Sequence, residues 1–447
     1  MYRSTAVFLL IFSVMVDAAG GILLIEDVVL IDGTGRQPVS HVSVLVRDDS
    51  IVEIKKGNFD QSVRKTAQVI NGAQKYLIPG LMDVHVHLAG SMTVTEQGLR
   101  EVEIDRQKGI RALHGYLYGG VTTIYDCGNL PDYIFALREE ERSGVITSPR
   151  IFATGGIVTY PGSHGAGPGA TTVDDWPEAI PLLDEHIKRA PDILKLTLEE
   201  RGWGMRPLIP KLPLPLMEKI IEYYNDRGIR TTVHTASELR ARQAIFAGID
   251  TLAHPVIVGP VSDSFAKLMG AKKVPMATTL TIGENYSRLA EHPEYLDQPM
   301  YQAIFSEAEI RELKVKTRKQ YQDRDWTWWM KLMTPVAQEN LRKIHEAGGV
   351  LALGTDQTNG AAVHREMELL VASGIAPLDV IRIATFNAAK FLGKEDQLGT
   401  IAEGKLADMV LLNADPSDDI NNAKDIHMVI KNGRVIDRDK LQLPANG

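Results

Sequence analysis

Hydrophobic and polar positions alternate with a period of two in short runs at both ends of the chain. From residue 22 the sequence reads ILLIEDVVLID and then HVSVLVRDDSIVEIKK, with a Gly-Thr-Gly turn between. The pattern returns in LADMVLLN (406–413) and DIHMVIKNGRVID (425–437), where Lys431-Asn432-Gly433 marks a hairpin. Neither run is large enough to bury a core of its own. Together they predict a small β-sandwich domain assembled from both chain ends, residues 19–79 and 397–447.

Between them, strand-like apolar runs alternate with helical ones such as PLMEKIIEYYNDRG and ELRARQAIFAG. Candidate strands cover 81–87, 121–126, 150–153, 193–198, 230–235, 251–254, 275–281 and 350–356. Eight β/α repeats predict an α/β fold, a (β/α)8 TIM barrel over 80–396, with its chemistry at the C-terminal ends of the strands. The largest insertion, 283–346, contains DWTWWMKLM and lies where a lid or binding wall is expected. Its tryptophans Trp326, Trp328 and Trp329 suit a packed helix better than a pocket wall.

The residues that end these strands form a pattern. In GLMDVHVHL, residues 80–88, side-chain alternation puts Leu81, Asp83, His85 and His87 on one face. Strand four, DILKLTL, holds Lys195 in the middle of an apolar run. Strand five, RTTVHTA, ends near His234, and strand six, GIDTLAHP, in His254. Strand eight, GVLALGTD, ends in Asp356, and its small Ala352 and Gly354 leave room on the same face. A lone histidine in an apolar stretch is commonly structural, as the histidines elsewhere (41, 114, 164, 186, 292, 345, 364, 427) illustrate. Ligand-type residues on five strands, all at one end of one barrel, are not explained that way. Imidazole and carboxylate without thiolate suit divalent zinc or a similar ion.

Composition narrows the reading. With 49 basic and 57 acidic residues among 447, the net charge is -8, and no basic stripe exists to displace counterions from nucleic acid. A single cysteine, Cys127, excludes an intrachain disulfide framework. An apolar run from Ala6 to Val16, followed by small residues through Ala18, reads as a signal peptide over 1–18 and predicts a secreted or periplasmic protein. Beyond it no segment of the mature chain is apolar for long enough to cross a membrane. Asn285-Tyr286-Ser287 is a glycosylation sequon, relevant only in a eukaryotic source.

The order His-x-His, Lys, His, His, Asp resembles the amidohydrolase superfamily. LIPGLMDVHVHL is similar to the family's entry into strand one, GTIAEGKLADMVLLNADP to its return to the β-sandwich, and APLDVIRIATFNAAKFLG (376–393) to its last helices. GGVTTIYDCG, TGGIVTYPGSHG and HREMELL are most similar to prolidase-like and imidazolonepropionase-related hydrolases. The resemblance implies two divalent metal ions held by His85, His87, Lys195, His234, His254 and Asp356, with Lys195 carboxylated to a bridging carbamate. The metals would lower the pKa of a bridging water and stabilise an oxyanion, with Asp356 as general base. The expected reaction is hydrolysis of an amide or related carbon–nitrogen bond in a small-molecule substrate.

Tyr160 and His164, in the loop after strand three, are candidate substrate-binding residues; Arg201 and Trp203 border the mouth. Asp83 and Asp126 match structural positions of the family. A lactonase, esterase or phosphotriesterase uses the same centre. A deaminase fits less well, because Ser237 stands where its proton-shuttling glutamate belongs, with Glu238 one step late. Homo-oligomerisation is compatible with the architecture.

Overall fold

The alternating runs at the two chain ends meet in one sheet. In the computed structural model, which describes residues 21–88, 90–94, 100–200 and 208–444, strands Ile22–Leu30, Val39–Arg47, Ser50–Lys56, Gln68–Asn71 and Tyr76–Pro79 join Met409–Leu412, Ile426–Lys431 and Arg434–Ile436 in an eight-stranded mixed sheet. The halves meet where Tyr76–Pro79 runs antiparallel to Met409–Leu412, Met409 opposite Pro79. One face buries Ile25, Val44, Ile51, Leu77, Met409 and Ile430. The hairpin expected at Lys431-Asn432-Gly433 forms: Asn432 (φ 49°) and Gly433 (φ 69°) take the two positive-φ positions between the paired Lys431 and Arg434. A Cβ on Gly433 would lie 2.0 Å from the Asp48 carbonyl oxygen, so space as well as φ demands glycine. The expected signal peptide, residues 1–18, lies outside the described residues.

The middle of the chain is α/β with parallel strands. Leu81–Val86, Val121–Asp126 and Arg150–Ala153 form one parallel sheet. Thr171–Thr172, Val158–Thr159, Ile193–Thr197, Arg230–His234, Thr251–Leu252, Met276–Ala277 and Leu351–Ala352 form a second, in that spatial order. Backbone hydrogen bonds bridge the two sheets on both sides, Val84 N donating to Leu353 O and Asp192 N to Ala153 O, each at 2.9 Å. Helices pack outside through apolar stripes. In Leu214–Asn225 the buried residues are Leu216, Met217, Ile220, Ile221 and Tyr224, the spacing that puts a single face inward.

Three expected strands are shorter than the sequence suggested. The runs at 251–254 and 350–356 keep only Thr251–Leu252 and Leu351–Ala352 in the ladder, so His254 and Asp356 sit just beyond it. The run at 275–281 is cut to Met276–Ala277, because Thr279 adopts φ 25° and the helix Leu280–Glu291 starts directly after it. The expected insertion, 283–346, is helical, ending in Asp325–Glu346. Within that helix Trp326 and Trp329 pack on the core with ring centroids 5.9 Å apart, while Trp328 is 63% exposed. A two-stranded antiparallel hairpin, Gly90–Val94 with Arg100–Ile104, follows strand one, where the sequence reading assigned no element. Among the described residues no helix is long and apolar enough to cross a membrane.

Candidate metal centre

His85 stands on a strand buried along its whole length, and His87 follows that strand directly. His85 Nδ1 lies 2.7 Å from Ala253 O, and His87 Nδ1 lies 2.7 Å from Gly128 O. A carbonyl can only accept, so Nδ1 carries the proton in both rings and Nε2 keeps its lone pair. His254 turns its Nδ1 to Thr279 Oγ1 at 2.9 Å. Burial pushes the imidazoles of His85, His234 and His254 well below their ordinary pKa, which keeps them neutral.

The rings converge. Centroids of His85 and His254 are 4.3 Å apart, His234 and His254 4.6 Å, and His85 and His87 5.4 Å. Asp356 Oδ1 lies 3.5 Å from His87 Nε2 and 3.8 Å from His85 Nε2. Lys195, central in Ile193–Thr197 and 2% exposed, brings Nζ to 3.5 Å from His85 Nε2. The fold thus gathers all six side chains singled out at the strand ends. Ligand atoms of His85, His254 and Asp356 lie within 4.8 Å of one another.

Two groups here carry charge at a cost. Burial lowers the pKa of the Lys195 amine, and among the described residues no carboxylate forms an ion pair with it. Burial raises the Asp356 carboxyl. Asp356 has φ 53°, with its N–H donating to His85 O at 2.7 Å, so its backbone is pinned to the strand that carries the first histidine.

Asp83 and Asp126 hold this arrangement from behind. Asp83 accepts from His85 N, Thr355 N and Thr355 Oγ1, the last at 2.6 Å, and burial pushes its pKa up to about 8. Asp126 accepts from Leu88 N, Gly128 N and Asn129 Nδ2, fixing the turn whose Gly128 carbonyl meets His87. His164 stacks on His234 with centroids 4.0 Å apart and planes 13° from parallel. Its own carbonyl is held by the hydroxyls of Thr159 and Thr197 at 3.1 and 2.9 Å. Tyr160 is half-buried in the same loop. Arg201 and Trp203 lie outside the described residues.

The sequence reading passed over three features. Thr279 supports His254, and Glu366 lies buried behind Thr279. A cavity of about 200 Å³ opens beside Gln357, walled by Tyr295, Tyr301, Tyr321, Arg288 and Arg365. Glu366 had a signal in the sequence: it shares the apolar stripe of Val363, Met367 and Leu370 on the helix Gly360–Ala372, an odd place for a carboxylate. The cavity had none, since its walls come from several turns and short helices of 281–321 and from 357–365, whose packing no local pattern specifies.

Comparison with known proteins adds to this geometry. The sequence pattern of the Amidohydrolase family matches residues 76–436. An imidazolonepropionase of Herpetosiphon aurantiacus is 32% identical over 108 residues, 22% of this chain and 25% of the relative. The matches to two further imidazolonepropionases span 19% and 26% of their lengths, so the chain aligns with about a quarter of these relatives. One from Idiomarina loihiensis is 23% identical over 407 residues, 87% of this chain and 89% of the relative. Among solved structures, a Xaa-Pro dipeptidase with methionine bound in its active site superposes with a TM-score of 0.74 at 24% identity, covering 93% of this chain and 100% of the other. That likeness is one of fold.

Proposed function

Because this chain belongs to the amidohydrolase family, we propose that it is a metal-dependent hydrolase of a carbon–nitrogen bond in a small molecule such as a dipeptide or an N-acyl amino acid. One observation carries the reading: His85, His87, His234, His254 and Asp356, at or just past the ends of parallel strands, converge with Lys195, which projects from the middle of its strand. The bridges between the two parallel sheets support closure into a (β/α)8 barrel over 80–396. The eight-stranded sheet supports a β-sandwich domain from 19–79 and 397–447.

The donor set fits divalent cations. His85 and His87 have Nδ1 committed to carbonyls, which leaves Nε2 as the donor atom, and the partly buried carboxylate of Asp356 faces both. Two ions would be held by His85, His87, His234, His254, Lys195 and Asp356, and the nitrogen and oxygen donors suit zinc. When bound, such ions make water acidic near neutral pH and polarise a substrate carbonyl. Lys195 enters as a neutral amine, the form that burial favours. Its nitrogen lone pair could bond to the carbon of carbon dioxide, with one N–H proton passing to solvent water, and the resulting carbamate would supply a negative charge to offset the cations.

Asp356 Oδ1 takes the proton of the attacking water and passes it to the leaving nitrogen. Burial raises the Asp356 pKa, which makes its carboxylate a stronger base for the first of these transfers. His164, held flat on His234, and Tyr160 bind the substrate's carbonyl or carboxylate. The cavity beside Gln357, with tyrosine rings on one side and Glu284, Arg288 and Arg365 on the other, suits a side group that has both apolar and polar parts. Glu238 does not serve as a deaminase proton shuttle: its oxygens accept from Ser262 N, Ser262 Oγ and Arg242 Nε.

The reading is tested by offering metal-loaded protein a panel of dipeptides, N-acyl amino acids, lactones and phosphotriesters. Turnover confined to the first two classes supports it. Turnover confined to the esters, or to a deaminated product, contradicts it.

A further inference from the structure

The three imidazoles whose Nδ1 partners are described above are not held alike. His85 and His87 turn Nδ1 onto backbone carbonyls, whereas His254 turns it onto a hydroxyl, Thr279 Oγ1. A carbonyl fixes a ring by itself. A hydroxyl both donates and accepts and swings about its own bond, so it orients a ring only if something else holds it.

Thr279 is held in an unusual way. Its backbone sits at φ 25°, ψ 44°, a region that a β-branched residue rarely enters. It also occupies the N-cap of the helix Leu280–Glu291, where a threonine ordinarily turns its oxygen back onto the first free N–H groups. Here it makes no such bond. Glu366 caps the helix instead. Its two oxygens accept from Leu280 N at 2.9 Å and Thr281 N at 2.8 Å, and Thr281 Oγ1 donates to it at 2.9 Å. Thr279 N is tied to Gly354 O at 2.9 Å, on the strand that leads to Asp356.

We propose that Glu366 is a positioning residue of the metal centre. By capping the Leu280–Glu291 helix from a neighbouring helix, it pins the strained turn at Thr279 and releases that hydroxyl to orient the His254 imidazole. The inference rests on the reading of His254 as a metal ligand. A glutamate that served the helix alone would leave the geometry at the metal untouched when replaced. One that acts through Thr279 changes it.

Cobalt(II) in place of the native ion reports ligand geometry through its visible spectrum, independently of turnover. Wild type, Glu366→Gln, Thr279→Val and Thr279→Ser are loaded with cobalt(II), and the spectrum and the rate of cobalt loss to a chelator are recorded. Glu366→Gln and Thr279→Val should shift the spectrum and release cobalt about 10-fold faster or more. Thr279→Ser, which keeps the hydroxyl, should match wild type. If Glu366→Gln fails to fold, Glu366→Asp, which keeps the charge but shortens the reach to Leu280 N and Thr281 N, is read in its place against the same two outcomes. Variants with lowered thermal midpoints but unchanged spectra and release rates overturn this inference and leave the metal reading standing. Wild type that takes up no cobalt overturns the metal reading, and this inference with it.

Discussion

Gly354 faces His85 so closely that a Cβ built on it would lie 2.9 Å from the His85 Cβ and 3.3 Å from the Ala277 Cβ. Three strands therefore meet at a point where only a hydrogen fits. Gly354→Ala forces His85 aside, at an overpacking cost of about 1–3 kcal/mol. Its metal affinity should fall about 10-fold or more, read by competition with a chelator. An alanine variant that binds metal as tightly as wild type would show that His85 is not held by this contact.

The sheet made from the chain ends grips the α/β unit through a buried ion pair. Lys431 Nζ lies 2.6 Å from Glu141 Oε1, and the two side chains are 9% and 3% exposed. Removing one partner strands the other charge away from water, which costs about 3–5 kcal/mol. Lys431→Met should lose that much in chemical denaturation while its metal content stays at the wild-type level. Adding Glu141→Leu should restore much of the loss. A single variant less than about 1 kcal/mol below wild type would mean that the charge of Glu141 reaches solvent.

A histidine outside the centre predicts a pH dependence. Burial pushes the His364 imidazole down to about 4 from an ordinary 6.5, with Nε2 2.8 Å from Gly119 O. Between those values the unfolded chain takes up a proton that the folded chain refuses. The stability contribution is thus complete above about 6.5 and is lost as the pH falls to about 4. The gap corresponds to about 3 kcal/mol. His364→Gln keeps a donor for Gly119 O but no titrating group, so its stability should fall less on acidification, by that amount. The buried imidazoles of the centre act equally in both proteins and cancel in the difference. Equal acid sensitivity of the two proteins would contradict the assignment.

Much of this was legible in the sequence. The strands Val121–Asp126 and Arg150–Ala153 fall where alternation and apolar runs put them, and the Asn432-Gly433 turn was read directly from two residues that tolerate positive φ. The convergence of the six side chains was legible because five of them stand at or just past strand ends, which are local features, and Lys195 breaks an apolar strand; the barrel expectation brings these places together. What escaped depends on contacts between distant segments. Thr279 looks like one more strand residue until Glu366, far along the chain, takes both N–H groups that follow it. The stacking of His164 on His234 is also invisible in one dimension, since a Gly-rich loop must fold back to create it.

Lys195 is the most unusual of the six converging side chains. A buried amine beside His85, with no ion-paired carboxylate among the described residues, is a costly choice unless it becomes an anionic ligand. The most direct test is the metal content of the purified chain, measured by mass spectrometry in wild type and in Lys195→Ala, with turnover followed alongside. Close to two divalent ions per chain in active wild type, and a clear loss of both metal and turnover in the variant, is the predicted result. Active wild type free of metal, or a variant that keeps its ions and full activity, would contradict it.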